Sequence, residues 1–281
     1  MTTKTNKCIF CLVESGSFNT VEHIIPESLG NTDDILMNAV CDKCQNYLGR
    51  EIEKFVLDKT PFAFWRTIYG TKSKKGKSPY CDLSLEKKAG GALADYHPFS
   101  DSGIVLRPAY SNDEAVVEAI VSDESLKKEI LNGNKETFKL VLTPKSLVYM
   151  GRFLGKIALE LWYKVSKDDV FHNRFNDLRS YVRYGTVVAM WPIIHCKLGE
   201  NLLFFRDMAN GLQERSLYKY SLYKIKSMGI SLFTFDIGSE RYGIILDKRE
   251  LAGKEFTDEF FSAMFHGTEG HPNILFYSEL R

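Results

Sequence analysis

The chain has 281 residues, enough for one large domain or two ordinary ones. Its 44% hydrophobic and 26% charged content is that of a globular protein and excludes a disordered or fibrous chain. A formal net charge of +1 excludes a global basic field, so any nucleic-acid contact must rest on local charge.

The first residues, Met1 to Lys7, lack the apolar core of a secretory signal, and no apolar run approaches the ~18 residues of a membrane span. A cytoplasmic protein that does not engage a membrane is expected. Four of the six cysteines fall in two pairs, Cys8-Ile-Phe-Cys11 and Cys41-Asp-Lys-Cys44. In a Cys-x-x-Cys knuckle a tight turn brings both sulfurs to one side, and two knuckles complete a closed tetrahedral zinc site with a structural role. Between the pairs lies Glu22-His23-Ile24-Ile25-Pro26.

In chain order, Cys8 to Cys11 is the first knuckle and Val13 to Asn19 a loop. Thr20 to Ile25 is a short β-branched strand stopped by Pro26. Gly30-Asn31 signals a turn, and Ile35 to Val40 returns as a second strand. Asp42 is placed to cap a helix along which Leu48, Ile52, Phe55 and Val56 recur at helical spacing. Thr60-Pro61 then starts an aromatic helix from Phe62 to Tyr69, ending at Gly70. Lys72, Lys74, Lys75 and Lys77 follow in a polar segment, read equally as a phosphate-contacting stretch or a solvated linker.

Strands broken at Gly90-Gly91 and Pro98 are expected between Ser78 and Ala109, then a short helix after Ser122-Asp123 and a strand at Phe138 to Leu142. Thr143-Pro144 opens the clearest helix, with Leu147, Met150, Leu154, Ile157, Ala158 and Leu161 on one face. Gly151 and Gly155 within it signal close approach of another element, because a helical glycine otherwise costs about 1 kcal/mol. Arg152, Lys156 and Glu160 exclude a membrane-dimer reading of that glycine pair. A helix at Phe175 to Tyr184 precedes an apolar run at Val187 to Ile194. Strands are expected at Leu202 to Phe205, Tyr218 to Lys226, Ser231 to Asp236 and Tyr242 to Leu246. The fold class is α+β. Cys81 and Cys196 read as buried thiols, and His266 and His271 fall in a turn.

Cys-x-x-Cys, Glu-His-Ile-Ile-Pro and Asn38-x-x-Cys-x-x-Cys-Gln-Asn together resemble the zinc-bearing branch of the HNH endonuclease family, over about the first fifth of the chain. The resemblance implies a treble-clef-like ββα-metal unit in which a hairpin and helix surround a catalytic cation. It divides the chain into an HNH unit at 1–58, an aromatic helix and basic linker at 59–100, and an α+β region at 101–281 that serves as sensor or targeting domain. It implies His23 as general base, Glu22 as carboxylate ligand of a catalytic Mg²⁺ or Mn²⁺, and Asn38 as the residue that orients His23. The family places Asn or His directly after the last knuckle cysteine. Here Gln45 stands there and Asn46 follows, so either amide is a candidate for the second cation ligand. Adjacent strand residues face opposite ways, so Glu22 and His23 share a site only if the strand bends or ends between them.

DNA is the expected substrate, and the architecture implies defence against foreign DNA, with room for a homodimer and for a small-molecule or protein trigger at the C-terminal region. The alternative is a zinc-stabilised nucleic-acid-binding or interaction module without catalysis, which the glutamine at position 45 favours.

Overall fold

The computed structural model describes residues 6–68, 71, 81–88, 91–95, 103–111, 114–121, 124–132, 139–141, 144–185, 191–197, 217–238, 240–247, 256–266 and 274–277. The lysine segment at 72–77, the strand expected at Leu202 to Phe205, Pro98 and His271 lie outside these residues. Two compact units emerge: one joins residues 1–53 with 147–281, the other is residues 54–146. Packing therefore groups the N-terminal motif with residues far along the chain.

In the first unit, the two knuckle segments flank a minimal hairpin. β1 (Glu22–His23) pairs antiparallel with β2 (Ile35–Leu36), with Glu22 opposite Leu36. Both strands are much shorter than the β-branched runs suggest. Pro26 ends the first, and a 3₁₀ turn at Glu27–Leu29 closes on Gly30 at φ 85°. Asn31 stitches the connection: its Nδ2 donates to the Ile25 and Asp34 carbonyls, and its Oδ1 accepts from the Asp33 and Asp34 amides. A buried amide that satisfies four backbone groups takes the place of a longer ladder.

α1 (Asp42–Tyr47) follows, then a π-helical stretch (Leu48–Glu53) and α2 (Lys54–Lys59). Cys41, not Asp42, occupies the N-cap, and it makes no side-chain cap. Asp42 is the first helical residue. Its carboxylate instead accepts from Ser17 Oγ, Asn19 N, Thr20 N and Thr20 Oγ1, which fastens the loop leading into β1.

The long helix α5 (Pro144–Val165) gives this unit its core. Leu147, Met150, Leu154, Ile157, Ala158 and Leu161 are buried as expected, but so are Phe153, Leu159 and Trp162 on its other sides. Its two glycines admit α6 (Asn176–Tyr184): a Cβ on Gly155 would lie 2.7 Å from Val182 and 2.9 Å from Leu178. No helix of the described residues is long and apolar enough to cross a membrane.

An antiparallel sheet of order β12-β8-β11-β10-β9 completes the unit, from β8 (Ile193–Lys197), β9 (Tyr218–Ile225), β10 (Ile230–Ile237), β11 (Glu240–Ile245) and β12 (Ile274–Tyr277). Every residue of β10 is buried, so both its faces are covered. Ile230 and Leu232 pack with Phe260 and Met264 of α7 (Asp258–Phe265) on one face. Arg241 makes a two-point pair with Asp236 and also donates to the carbonyls of Met264 and His266, which satisfies the C-terminal end of α7.

The second unit carries α2 and α3 (Pro61–Ile68), the latter opened by Thr60, whose Oγ1 accepts from the Phe62 amide. Its sheet has the order β6-β5-β3-β4-β7, from β3 (Cys81–Lys88), β4 (Gly91–Asp95), β5 (Gly103–Ser111), β6 (Glu114–Val121) and β7 (Lys139–Val141). Among the described residues of this sheet, only the β4–β7 pairing is parallel. α4 (Glu124–Leu131) lies between β6 and β7 in sequence. The α+β class holds for both units.

Candidate active site

The knuckle turns do what Cys-x-x-Cys spacing requires. The Sγ atoms of Cys8, Cys11, Cys41 and Cys44 all lie within 4.8 Å of one another, with Cys11 and Cys41 separated by 3.6 Å. A tetrahedron with zinc–sulfur bonds of ~2.3 Å has sulfur–sulfur edges of about 3.8 Å. The four sulfurs are thus positioned to hold a metal ion. The thiols conflict electrostatically: the hydrogen bond from Cys44 pulls Cys8 down to about 5, whereas burial pushes Cys41 up to about 11. A bound cation would remove that conflict by stabilising all four thiolates.

The knuckles have supports from α6. Arg183 Nε donates to Cys44 Sγ over 3.1 Å, and Arg179 Nε donates to the Ile9 carbonyl over 2.7 Å. The Cys41 amide points at Cys8 Sγ. Leu12, just past the first knuckle, takes φ 60°, a conformation that costs a non-glycine residue about 1 kcal/mol or more. Its amide donates to the Cys8 carbonyl and closes the turn.

Between the knuckles, Glu22 and His23 point to different partners. Glu22 is buried, and its Oε1 lies 2.6 Å from Lys156 Nζ. Burial pushes its carboxyl up, and the Lys156 ammonium opposes that shift. His23 Nε2 lies 3.0 Å from Glu27 Oε1. A carboxylate only accepts, so this contact favours the proton on Nε2 and leaves the lone pair on Nδ1.

Gln45, from α1, donates its Nε2 to the Val21 carbonyl over 2.5 Å. A carbonyl can only accept, so the amide oxygen faces the other way. The bond ties the helix to the backbone beside Glu22. Asn46 is exposed. Asn38 is exposed too, at φ 59°, and among the described residues the side chain paired with His23 is Glu27.

Three side-chain atoms stand out between the first knuckle and the end of α2. Glu22 Oε2, His23 Nδ1 and Gln45 Oε1 are each buried and each without a hydrogen-bond partner among the described residues. All three carry lone pairs, and a buried acceptor without a donor costs about 1–3 kcal/mol. A carboxylate oxygen and an amide oxygen are the donors a hard divalent cation takes.

The family model described as HNH endonuclease matches residues 8–60. This segment is an HNH endonuclease domain. No curated protein and no solved structure matches the chain. The match takes in both knuckles, Glu22, His23, Asn38 and Gln45, and an HNH domain points to a nucleic-acid substrate.

Several groups around the HNH domain escape a sequence reading. Glu27 stands four residues after His23, a spacing that was available but unremarkable in a loop. Arg179, Arg183 and Lys156 lie more than a hundred residues beyond the knuckles, and no local pattern signals them. Cys196 is a buried thiol as expected, pushed up to about 11 by burial.

Proposed function

We propose that the protein is a cation-dependent endonuclease that hydrolyses phosphodiester bonds in DNA. The observation that carries this reading is the set of unpartnered buried acceptors on Glu22, His23 and Gln45. Cys8, Cys11, Cys41 and Cys44 hold structural zinc and fix the ends of the hairpin and the start of α1. Glu22 Oε2 and Gln45 Oε1 hold Mg²⁺ or Mn²⁺, which when bound neutralises the phosphate and the leaving oxygen.

His23 Nδ1 accepts a proton from water, and Glu27 at Nε2 stabilises the imidazolium that forms. Glu27 takes the orienting part that the family resemblance gives to Asn38. Gln45 is the amide ligand in preference to Asn46, because its oxygen is buried and unpartnered whereas Asn46 is exposed. The longer glutamine reaches back to Val21 with its nitrogen and keeps its oxygen for the cation. We attach to this chemistry a role in defence against foreign DNA, with a trigger acting on the residues outside the HNH domain.

Supercoiled plasmid incubated with the zinc-loaded protein tests the reading. Nicking that needs Mg²⁺ or Mn²⁺, stops with EDTA and is lost in His23→Ala is the expected result. Equal nicking by wild type and His23→Ala removes His23 from the mechanism. No cleavage by a zinc-loaded wild type that also binds no Mg²⁺ or Mn²⁺ leaves the inactive binding module.

A further inference from the structure

Lys156 of α5 is fully buried. Its Nζ lies 2.6 Å from Glu22 Oε1, 2.8 Å from Glu53 Oε1 and 3.0 Å from Glu160 Oε2. It also donates to the His23 carbonyl at 2.9 Å and approaches the Ile24 carbonyl at 3.3 Å. One ammonium with three protons thus sits among five acceptors. Glu160 comes from the next turn of α5, Glu53 from the end of the π-helical stretch, and the remaining acceptors from β1 and the residue after it.

Such a cluster is a poor device for stability alone. Removing ions from water is costly, and well-packed apolar side chains often replace a buried pair at no loss. What the cluster does achieve is asymmetry at Glu22. One carboxylate oxygen is held by Lys156, and the other has no partner. A carboxylate restrained through one oxygen and free at the other is arranged as a ligand with outer-shell support.

We propose that Lys156 is a positioning residue for the cation centre: it fixes Glu22 through Oε1 so that Oε2 faces the cation, and Glu53 and Glu160 fix Lys156 in turn. The proposal rests on the reading of Glu22 as a cation ligand. It also extends the active centre beyond residues 8–60, because α5 supplies a group that the HNH domain does not contain.

The test titrates Mn²⁺ into the zinc-loaded full-length protein by calorimetry, with zinc content and circular dichroism as controls for folding. Lys156→Gln keeps a donor beside Glu22 but removes the charge, and is expected to weaken Mn²⁺ binding about tenfold or more with zinc content unchanged. Glu53→Gln leaves the ammonium but removes one of its anchors, and shifts affinity in the same direction by less. Lys164→Gln breaks a different tie of α5, to Asp34, and leaves Mn²⁺ affinity unchanged.

Glu22→Gln separates the two levels. If it abolishes Mn²⁺ binding while Lys156→Gln leaves binding intact, the positioning role is overturned and the ligand reading stands. Undiminished binding by Glu22→Gln overturns both. Should Lys156→Gln fail to fold, Glu53→Gln decides, and unchanged affinity there overturns the proposal.

Discussion

Arg183 Nε donates to Cys44 Sγ at 3.1 Å, and the same guanidinium lies over the Tyr47 ring with its carbon 4.3 Å from the centroid. A helix far along the chain therefore donates to a sulfur of the N-terminal knuckle and packs on the helix that begins there. Donors to a zinc-bound thiolate hold its geometry and offset its charge. Arg183→Met is expected to speed zinc transfer to a chromogenic chelator roughly tenfold, with little change in the zinc-loaded fold. An unchanged transfer rate would assign the contact to packing alone.

Gln45 links the two halves of the HNH centre, because its nitrogen binds the strand backbone and its oxygen stays free. Gln45→Ala loses both functions and should reduce cation-dependent nicking by about two orders of magnitude. Gln45→Glu keeps an oxygen but places a carboxylate against the Val21 carbonyl, so it should weaken activity through displaced geometry. Plasmid nicking at saturating Mn²⁺ compares the variants, and wild-type rates in Gln45→Ala would exclude Gln45 from the centre.

Asp34 bridges the hairpin connection to α5 and β9. Its Oδ1 takes Lys164 Nζ at 2.5 Å, and its Oδ2 accepts from Tyr220 Oη at 2.7 Å. Burial pushes the Asp34 carboxyl up, but the hydrogen bonds from Lys164 and Tyr220 outweigh it and hold the group below its ordinary value. A carboxylate depressed in the folded state stabilises the fold above its unfolded pKa of ~3.9, and that contribution disappears as pH falls through the lower folded value. Asp34→Asn should lower the urea midpoint near neutral pH and lose less stability than wild type on acidification from about pH 5 to about pH 3. Parallel acid profiles for the two proteins would contradict this.

Gly155 admits α6 against α5. A methyl there would sit 2.7 Å from Val182 Cγ2 and 2.9 Å from Leu178 Cδ1, closer than packed carbons allow. Alanine gains about 1 kcal/mol of helix propensity, and overpacking costs about 1–3 kcal/mol. The clash involves a β-branched neighbour with little freedom, so Gly155→Ala should be net destabilising. Thermal unfolding checks the sign, and a higher melting temperature would show that α6 yields.

The knuckles, the hairpin order, the helix starts at Pro61 and Pro144 and the glycine approach on α5 were legible in the sequence, because each depends on residues within about a turn of one another. Strand lengths at the hairpin were not, since Asn31 supplies side-chain bonds where β-branched residues suggested a ladder. The placement of the charged residues of α5 was not legible either. Arg152, Lys156 and Glu160 are all buried. Arg152 Nε and Nη2 donate to the Val182 carbonyl, and its Nη2 also donates to Tyr47 Oη. Such placement depends on partners 30 to 133 residues away, which periodicity cannot reveal. For the same reason the sequence named Glu22 but not the Lys156 group that holds it in place.

The central claim is that Glu22 and Gln45 bind one hard cation in front of His23. Crystals of the zinc-loaded protein soaked in Mn²⁺, with anomalous scattering recorded at the manganese edge, test it most directly. The account predicts one manganese peak bonded to Glu22 Oε2 and Gln45 Oε1 at ~2.1–2.2 Å, on the side to which His23 Nδ1 points. A fully occupied manganese site that touches neither oxygen would contradict it.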